Sequence, residues 1–320
     1  MKKLILLLLI SAGVVAGLQA QQERHYTQFM YNKLLINPAY SGARGVPFAT
    51  AIYRNQWMGF DGAPKSVLAS FNSPFISPRV GVGVTMSHFQ IGLDKEFAAT
   101  MAYSYDLIGQ EEFSLRAGIM GSVRSLSTDF TKAMPANTGG DQSLDTEKNN
   151  SFYANVGAGL YATISSRFYI GLSMPRMYSN DISFNNPSAS LTAKEYQHFY
   201  AMAGAILPLN EDFNLMPAFL VKYVKNAPLD IDLNVNLEIR DKFTAGLSYR
   251  VGGDGPGESV DLLLFWKAHP QFGVGVAYDV TLSDVKDYSA GSIELLLQVD
   301  LKRSSSGGRN KPMSNPRFFM

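Results

Sequence analysis

The side chains best suited to chemistry in this sequence are four histidines, His25, His88, His198 and His269, and the paired aspartates Asp230 and Asp232. The histidines stand far apart and show none of the short spacings that place two metal ligands on one face of an element. Asp230 and Asp232 are two apart, so on a strand they share a face, as an acid–base pair would. No nucleophile, base and orienting group is visible around them. Solvation inside a wet lumen accounts for both. Gly252-Gly253-Asp254-Gly255-Pro256-Gly257 lacks the Gly-Lys-Ser/Thr ending and following helix of a phosphate cradle, so it reads as a loop. Asp141–Asn150 is acidic but lacks EF-hand spacing and its central glycine. The residues therefore assign no catalytic group, cofactor or metal, and the expectation is a protein that is not an enzyme.

The elements themselves are more informative. Leu229, Ile231, Leu233, Val235, Leu237 and Ile239 alternate with Asp230, Asp232, Asn234, Asn236, Glu238 and Arg240. A strand with this pattern has one apolar and one polar face. The alternation recurs. Phe272, Val274, Val276 and Tyr278 oppose Gly273, Gly275, Ala277 and Asp279, and Val80, Val82, Val84 and Met86 oppose Gly81, Gly83, Thr85 and Ser87. Phe97 to Tyr105 and Phe113 to Ile119 repeat it. Bulky groups outside and small or polar groups inside are the requirement of a transmembrane barrel. Tyr53, Trp57, Tyr103, Tyr105, Tyr249, Trp266 and Tyr278 fit interfacial girdles near strand ends.

Lys2, Lys3, the apolar run Leu4–Ile10 and the small-residue stretch to Ala20 form a secretory leader with cleavage near Ala20. Its loss takes the 28 basic residues to 26 against 27 acidic ones, a near-neutral balance that gives no support for a nucleic-acid partner. There is no cysteine, which removes disulfide and thiolate chemistry and a lipid anchor on cysteine.

The expected fold class is all-β, a transmembrane antiparallel β-barrel of about 14 strands in the outer membrane. The expected strands are 47–57, 65–73, 79–90, 96–107, 112–125, 151–164, 167–175, 195–207, 212–225, 229–240, 242–251, 259–268, 271–281 and 290–301. The expected division is a signal peptide 1–20, an N-terminal segment 21–46, a barrel 47–301 and a basic, flexible tail 302–320. With both barrel termini periplasmic, the long connections around Ser127–Asn150 and Arg176–Lys194 face outward and the short ones inward. Two alternatives stay open: segment 21–46 plugs the lumen or lies beneath it, and the tail is disordered or docks a partner.

Two blocks carry a family likeness. The first holds Gln28-Phe29-Met30-Tyr31-Asn32, Ile36-Asn37-Pro38-Ala39-Tyr40-Ser41-Gly42, Tyr53-Arg54-Asn55-Gln56-Trp57 and Gly62-Ala63-Pro64. The second holds Tyr278-Asp279, Gly291-Ser292-Ile293-Glu294 and Pro316-Arg317-Phe318-Phe319. Together they resemble the PorP/SprF family of type IX secretion outer-membrane proteins of Bacteroidota. Some relatives carry a cysteine before the last motif, where this chain has Asn315, so a role for that thiol does not transfer.

The resemblance implies a non-enzymatic accessory role in type IX secretion. The implied partners are a large secreted surface protein, often an adhesin, with a C-terminal sorting domain, and periplasmic machinery including a peptidoglycan-binding component. The implied role supports gliding motility in some systems. The alternative is a passive channel for small or hydrophobic molecules. For Asn37, Pro38, Gly42, Trp57 and Pro64 a structural task is favoured over recognition, because Asn-Pro and Gly set turns and Trp suits a girdle.

Overall fold

The computed structural model describes residues 24–110, 112–129, 148–183, 192–225, 227–252 and 257–301. Fourteen antiparallel strands form the wall. They are β1 (Phe48–Asn55), β2 (Lys65–Phe75), β3 (Ser77–Ile91), β4 (Asp94–Asp106), β5 (Phe113–Asp129), β6 (Lys148–Ile164) and β7 (Phe168–Arg176). The circuit continues with β8 (His198–Ala205), β9 (Phe213–Val224), β10 (Asp230–Ile239), β11 (Phe243–Val251), β12 (Ser259–His269), β13 (Phe272–Thr281) and β14 (Ser292–Asp300). Each strand pairs with its sequence neighbour, and β1 pairs with β14 from Phe48↔Asp300 to Asn55↔Ile293, which closes the barrel. Closure leaves no unpaired edge, as a sheet in hydrocarbon must, because an unbonded backbone group there has no water to turn to. The small pair Leu207–Pro208 extends the end of β8 against β9, and Asp181–Ser183 pairs with Thr192–Lys194 in the connection after β7.

Every strand read from the alternation is present, with ends shifted by a few residues. The inward faces are buried and the outward ones exposed: on β10, Asp230, Asp232, Asn234, Asn236 and Glu238 point in, and Leu233 and Val235 point out. Outward-facing aromatics, exposed or half-buried, form two belts. Phe113, Phe168, Phe213, Phe243, Trp266 and Phe272 lie at the end that holds Phe48 and Asp300, here the terminal end. Tyr53, Phe199, Tyr223, Tyr249 and Tyr278 lie at the other, the far end. Such belts match the two interfaces of a bilayer.

The lumen is not an empty pore. Residues 24–46 run through it as a strap of three short 3-10 turns, Phe29–Tyr31, Lys33–Leu35 and Pro38–Tyr40. The strap starts beside the far-end residues of β4 and β10 and leaves at the terminal end to begin β1. Its side chains reach around the circumference. Tyr31 stacks on Phe265 of β12 with centroids 4.6 Å apart, Asn32 accepts from Ser70 of β2, and Ser41 O accepts from Ser104 of β4. The buried Lys33 places its Nζ 4.3 Å from the ring centroid of Tyr169 and 5.3 Å from that of Tyr40, where the π-faces offset part of the cost of burying a cation.

Inward glycines make room for this backbone. A Cβ added at Gly81 would lie 2.0 Å from Ser41 O, and one at Gly118 would lie 2.3 Å from Ala39 N. The small inner residues thus form a seat for the strap, in which main chain packs on main chain. Gly118→Val is expected to cost about 1–3 kcal/mol through overpacking. Gly121→Val, whose Cβ meets nothing within 4 Å, should be neutral. The temperature at which the folded barrel loses its fast gel migration compares the two; equal values would mean the seat contributes nothing.

Candidate functional site

The sequence motifs converge on the strap and its anchorage. Asn37 precedes Pro38 at the start of the third turn and caps it, its Oδ1 accepting from the Ala39 N–H at 2.9 Å. Its Nδ2 donates to Leu160 O at 2.9 Å and Leu172 O at 3.3 Å, which ties the turn to β6 and β7. Proline suits the first position of a turn, since its missing N–H is not needed there. Ala39 is fully buried against Gly118. Gly42 takes φ +68°, donates its N–H to Asn72 Oδ1 at 2.6 Å, and meets Gly81 so closely that a Cβ would lie 2.6 Å from the Gly81 Cα. Any side chain at Gly42 would face both strain and collision.

At the far end, Arg54 of β1, Asp279 of β13 and Glu294 of β14 form a buried charge cluster. Arg54 Nη2 donates to Asp279 Oδ2 at 2.8 Å and Nη1 to Glu294 Oε2 at 3.2 Å. Glu294, with no exposed surface, accepts the N–H groups of Thr27 and Gln28 at 3.0 Å each. One carboxylate therefore binds the strap's backbone and is held in place by a guanidinium. Arg250 extends the cluster, donating to Asp232 at 2.6 Å and lying 3.8 Å from Asp279 and 4.0 Å from Asp261.

Gln56, Trp57, Pro64, Tyr278, Gly291 and Ser292 frame the connections above this cluster. The Gln56 N–H donates to Pro64 O at 2.9 Å and the Trp57 N–H to Ser292 Oγ at 3.2 Å. Gly291 O accepts from Met58, and Tyr278 OH donates to Ala290 O at 2.5 Å. Trp57 sits past the end of β1 with φ +51°, so its backbone belongs to the turn between β1 and β2. Pro316, Arg317 and Phe318 lie outside the described residues, as do the leader 1–20, the tail 302–320, most of Asp141–Asn150 and the core of Gly252–Gly257.

Two readings of single residues change. Asp230 and Asp232 are each 3% exposed and ion-paired, not solvated, because the strap covers them. His25, remote in sequence, lies with its Nε2 2.9 Å from Asp230 Oδ2 and its Nδ1 3.8 Å from Asp232 Oδ2. These three have the donor set of a metal site, but Lys222 Nζ already stands 3.1 Å from Asp230 and 2.6 Å from His25 Nε2, so a cation is in place. Of the two placements open for segment 21–46, its described residues, 24–46, lie within the lumen, mostly buried by the wall.

Residues that sequence reasoning did not single out include Arg24, Lys33, Arg124, Glu195 and Arg250. Arg124 and Arg250 are charged residues at inward positions of the alternation, Arg250 on an otherwise small or polar face, and that position was the available signal. Above the strap, toward the far mouth, lies a cavity of about 460 Å³ lined mainly by β3, β4, β5, β7, β8 and β9 and floored by Phe29, Asn32 and Ile36.

Arg54→Met should cost about 3–5 kcal/mol, because it leaves Asp279 and Glu294 buried with one partner fewer. Arg240→Met removes an exposed pair with Asp212 and should cost about 0–1 kcal/mol. Chemical denaturation in detergent distinguishes them, and a small effect at Arg54 would contradict the anchoring role.

Comparison with known proteins follows the geometry. No curated protein matches the sequence. Among solved structures, the Ralstonia pickettii toluene transporter TbuX is similar at a TM-score of 0.52 and 10% identity, covering 87% of this chain and 94% of that one. The Acinetobacter baumannii outer membrane protein Omp33 gives 0.48 and 7%, covering 80% and 98%. A Pseudomonas aeruginosa FadL homologue gives 0.45 and 12%, covering 88% and 95%. At these identities the likeness to TbuX shows the fold alone, an outer-membrane barrel. The family described as type IX secretion system membrane protein PorP/SprF matches residues 18–299, a span that holds the strap, the charge cluster and all fourteen strands apart from the last residue of β14. The chain belongs to the PorP/SprF family of type IX secretion membrane proteins.

Proposed function

We propose that the protein is a non-enzymatic outer-membrane scaffold of type IX secretion, which helps deliver or retain a large secreted surface protein through that protein's C-terminal sorting domain. Family membership supports a secretion role. The observation that favours a scaffold over a conduit is the strap, whose residues Met30, Ala39 and Tyr40 have no exposed surface within the lumen. A barrel filled by its own chain, held by buried ion pairs and hydrogen bonds to strands on all sides, is a rigid platform.

In this reading the leader is cleaved near Ala20, both barrel termini are periplasmic and the far end faces outward. The long connections 130–147 and 177–197 then meet the cargo at the cell surface. The terminal end and the basic tail 302–320 face the periplasmic machinery, including its peptidoglycan-binding component.

The test is affinity purification of the tagged protein from native outer membranes after mild cross-linking, with partners identified by mass spectrometry. Capture of a large secreted protein through its C-terminal domain is the expected result. Recovery of the barrel alone, together with steady ion conductance in a planar bilayer, would overturn the scaffold in favour of a passive channel. Replacing 177–197 by a short turn should release cargo from the surface several-fold while leaving the barrel folded.

A further inference from the structure

A group of polar residues stands on the outer face of the wall, the face that an outer-membrane barrel turns to lipid. Lys65 of β2 pairs with Gln90 of β3, and Gln90 pairs with Lys95 of β4, so the three form one row across neighbouring strands. All three are exposed, whereas Ser66 and Glu96, which follow the two lysines, are buried in the lumen. The alternation therefore sends both lysines outward. His88, exposed as well, precedes Gln90 by two residues and pairs with Val67 and Phe97, each half exposed on the same face.

The row begins just past the far aromatic belt. Lys65 pairs with Asn55, two residues beyond Tyr53, and two residues of strand span about 7 Å. A headgroup layer is about 5–7 Å deep on each side of a bilayer, so Lys65 falls among headgroups. The wall does not neutralise the charge. Among the described residues neither lysine has an ion pair. The carboxylates that flank Lys95 face the lumen, where Asp94 accepts from Thr128 and Glu96 meets Arg24 and Arg124. Two strand spacings of about 4.8 Å set the lysine backbones about 10 Å apart. Their flexible four-carbon stems can both reach one anion placed over Gln90, whose amide can donate to it.

We infer that this patch holds the phosphate of a lipid headgroup, with the acyl chains lying against Val67 and Phe97. Lysine binds phosphate as a compact point charge, and basic residues beside a bilayer recognise lipid headgroups. The occupant is a lipid and not a soluble anion because the residues beneath the charges are apolar and exposed. One ligand must supply an anion at the headgroup level and hydrocarbon below it. A lone lysine past the belt, such as Lys225 beyond Tyr223, reaches water along its own stem and needs no ligand. Two lysines in one row, with an amide between them and an imidazole beside it, converge on one. The assignment to the outer leaflet rests on the far end facing outward, as proposed above.

The probe is monophosphoryl lipid A, added to the full-length barrel in detergent and counted on the protein by native mass spectrometry, beside the same glycolipid with its phosphate removed. The phosphorylated lipid is expected to be retained roughly tenfold better. Lys65→Gln combined with Lys95→Gln should abolish that preference, and Lys225→Gln should leave it intact. Heat-modifiable migration checks that each variant is folded. Equal retention of the two lipids, a preference that survives the double change, or the same loss in Lys225→Gln would overturn the patch. Full displacement of the lipid by millimolar inorganic phosphate would assign the site to a soluble anion and overturn the lipid. The chain has no cysteine, so Asp61→Cys in the β1–β2 connection gives a single, exposed thiol. Its labelling on intact cells by a membrane-impermeant maleimide is expected. Lipid binding in detergent without that labelling sinks the outer leaflet and the proposed orientation while supporting the patch. Labelling without lipid binding sinks the patch alone.

Discussion

The structure depends on one constraint: polar groups enclosed by the barrel and cut off from bulk water must find partners in the strap. A strap backbone crossing a lumen exposes N–H and C=O groups that no sheet ladder can satisfy, and burying each without a partner costs on the order of 1–3 kcal/mol. Glu294 answers this at one end by accepting two consecutive strap N–H groups, and Asn37 and Asn72 answer it at the other by capping and gripping the third turn. A buried carboxylate needs a counter-charge in turn, which is why Arg54, Asp279 and Arg250 follow it into the wall.

The same constraint explains where bulk is absent. Backbone-to-wall hydrogen bonds require close approach, and close approach requires the missing side chains of Gly81, Gly118 and their neighbours. Charge at the far end and glycine toward the terminal end are two parts of one fit. The outcome is a barrel whose middle is filled and tied to the wall, with the cavity left above the strap toward the far mouth.

The alternation in sequence determined the wall. Strand geometry sends successive side chains to opposite faces, so Leu229–Arg240 and its repeats declared which side met lipid, how many crossings there were and where the connections were long. These are local properties, readable residue by residue. The Asn37-Pro38 pair and Gly42 likewise declared turns, since their backbone preferences act within a few residues.

Tertiary structure alone decided what filled the lumen and what the inward charges were for. Asp232 on β10 looks the same in sequence whether it faces water or Arg250, and His25 gives no sign that it will lie beside a strand about two hundred residues away. Arg54, Asp279 and Glu294 appeared as separate motif positions, and only barrel closure between β1 and β14 made them one cluster with the strap. The physical reason is that alternation fixes the direction of a side chain relative to its own strand, whereas pairing across a lumen depends on which strands curl around to face each other.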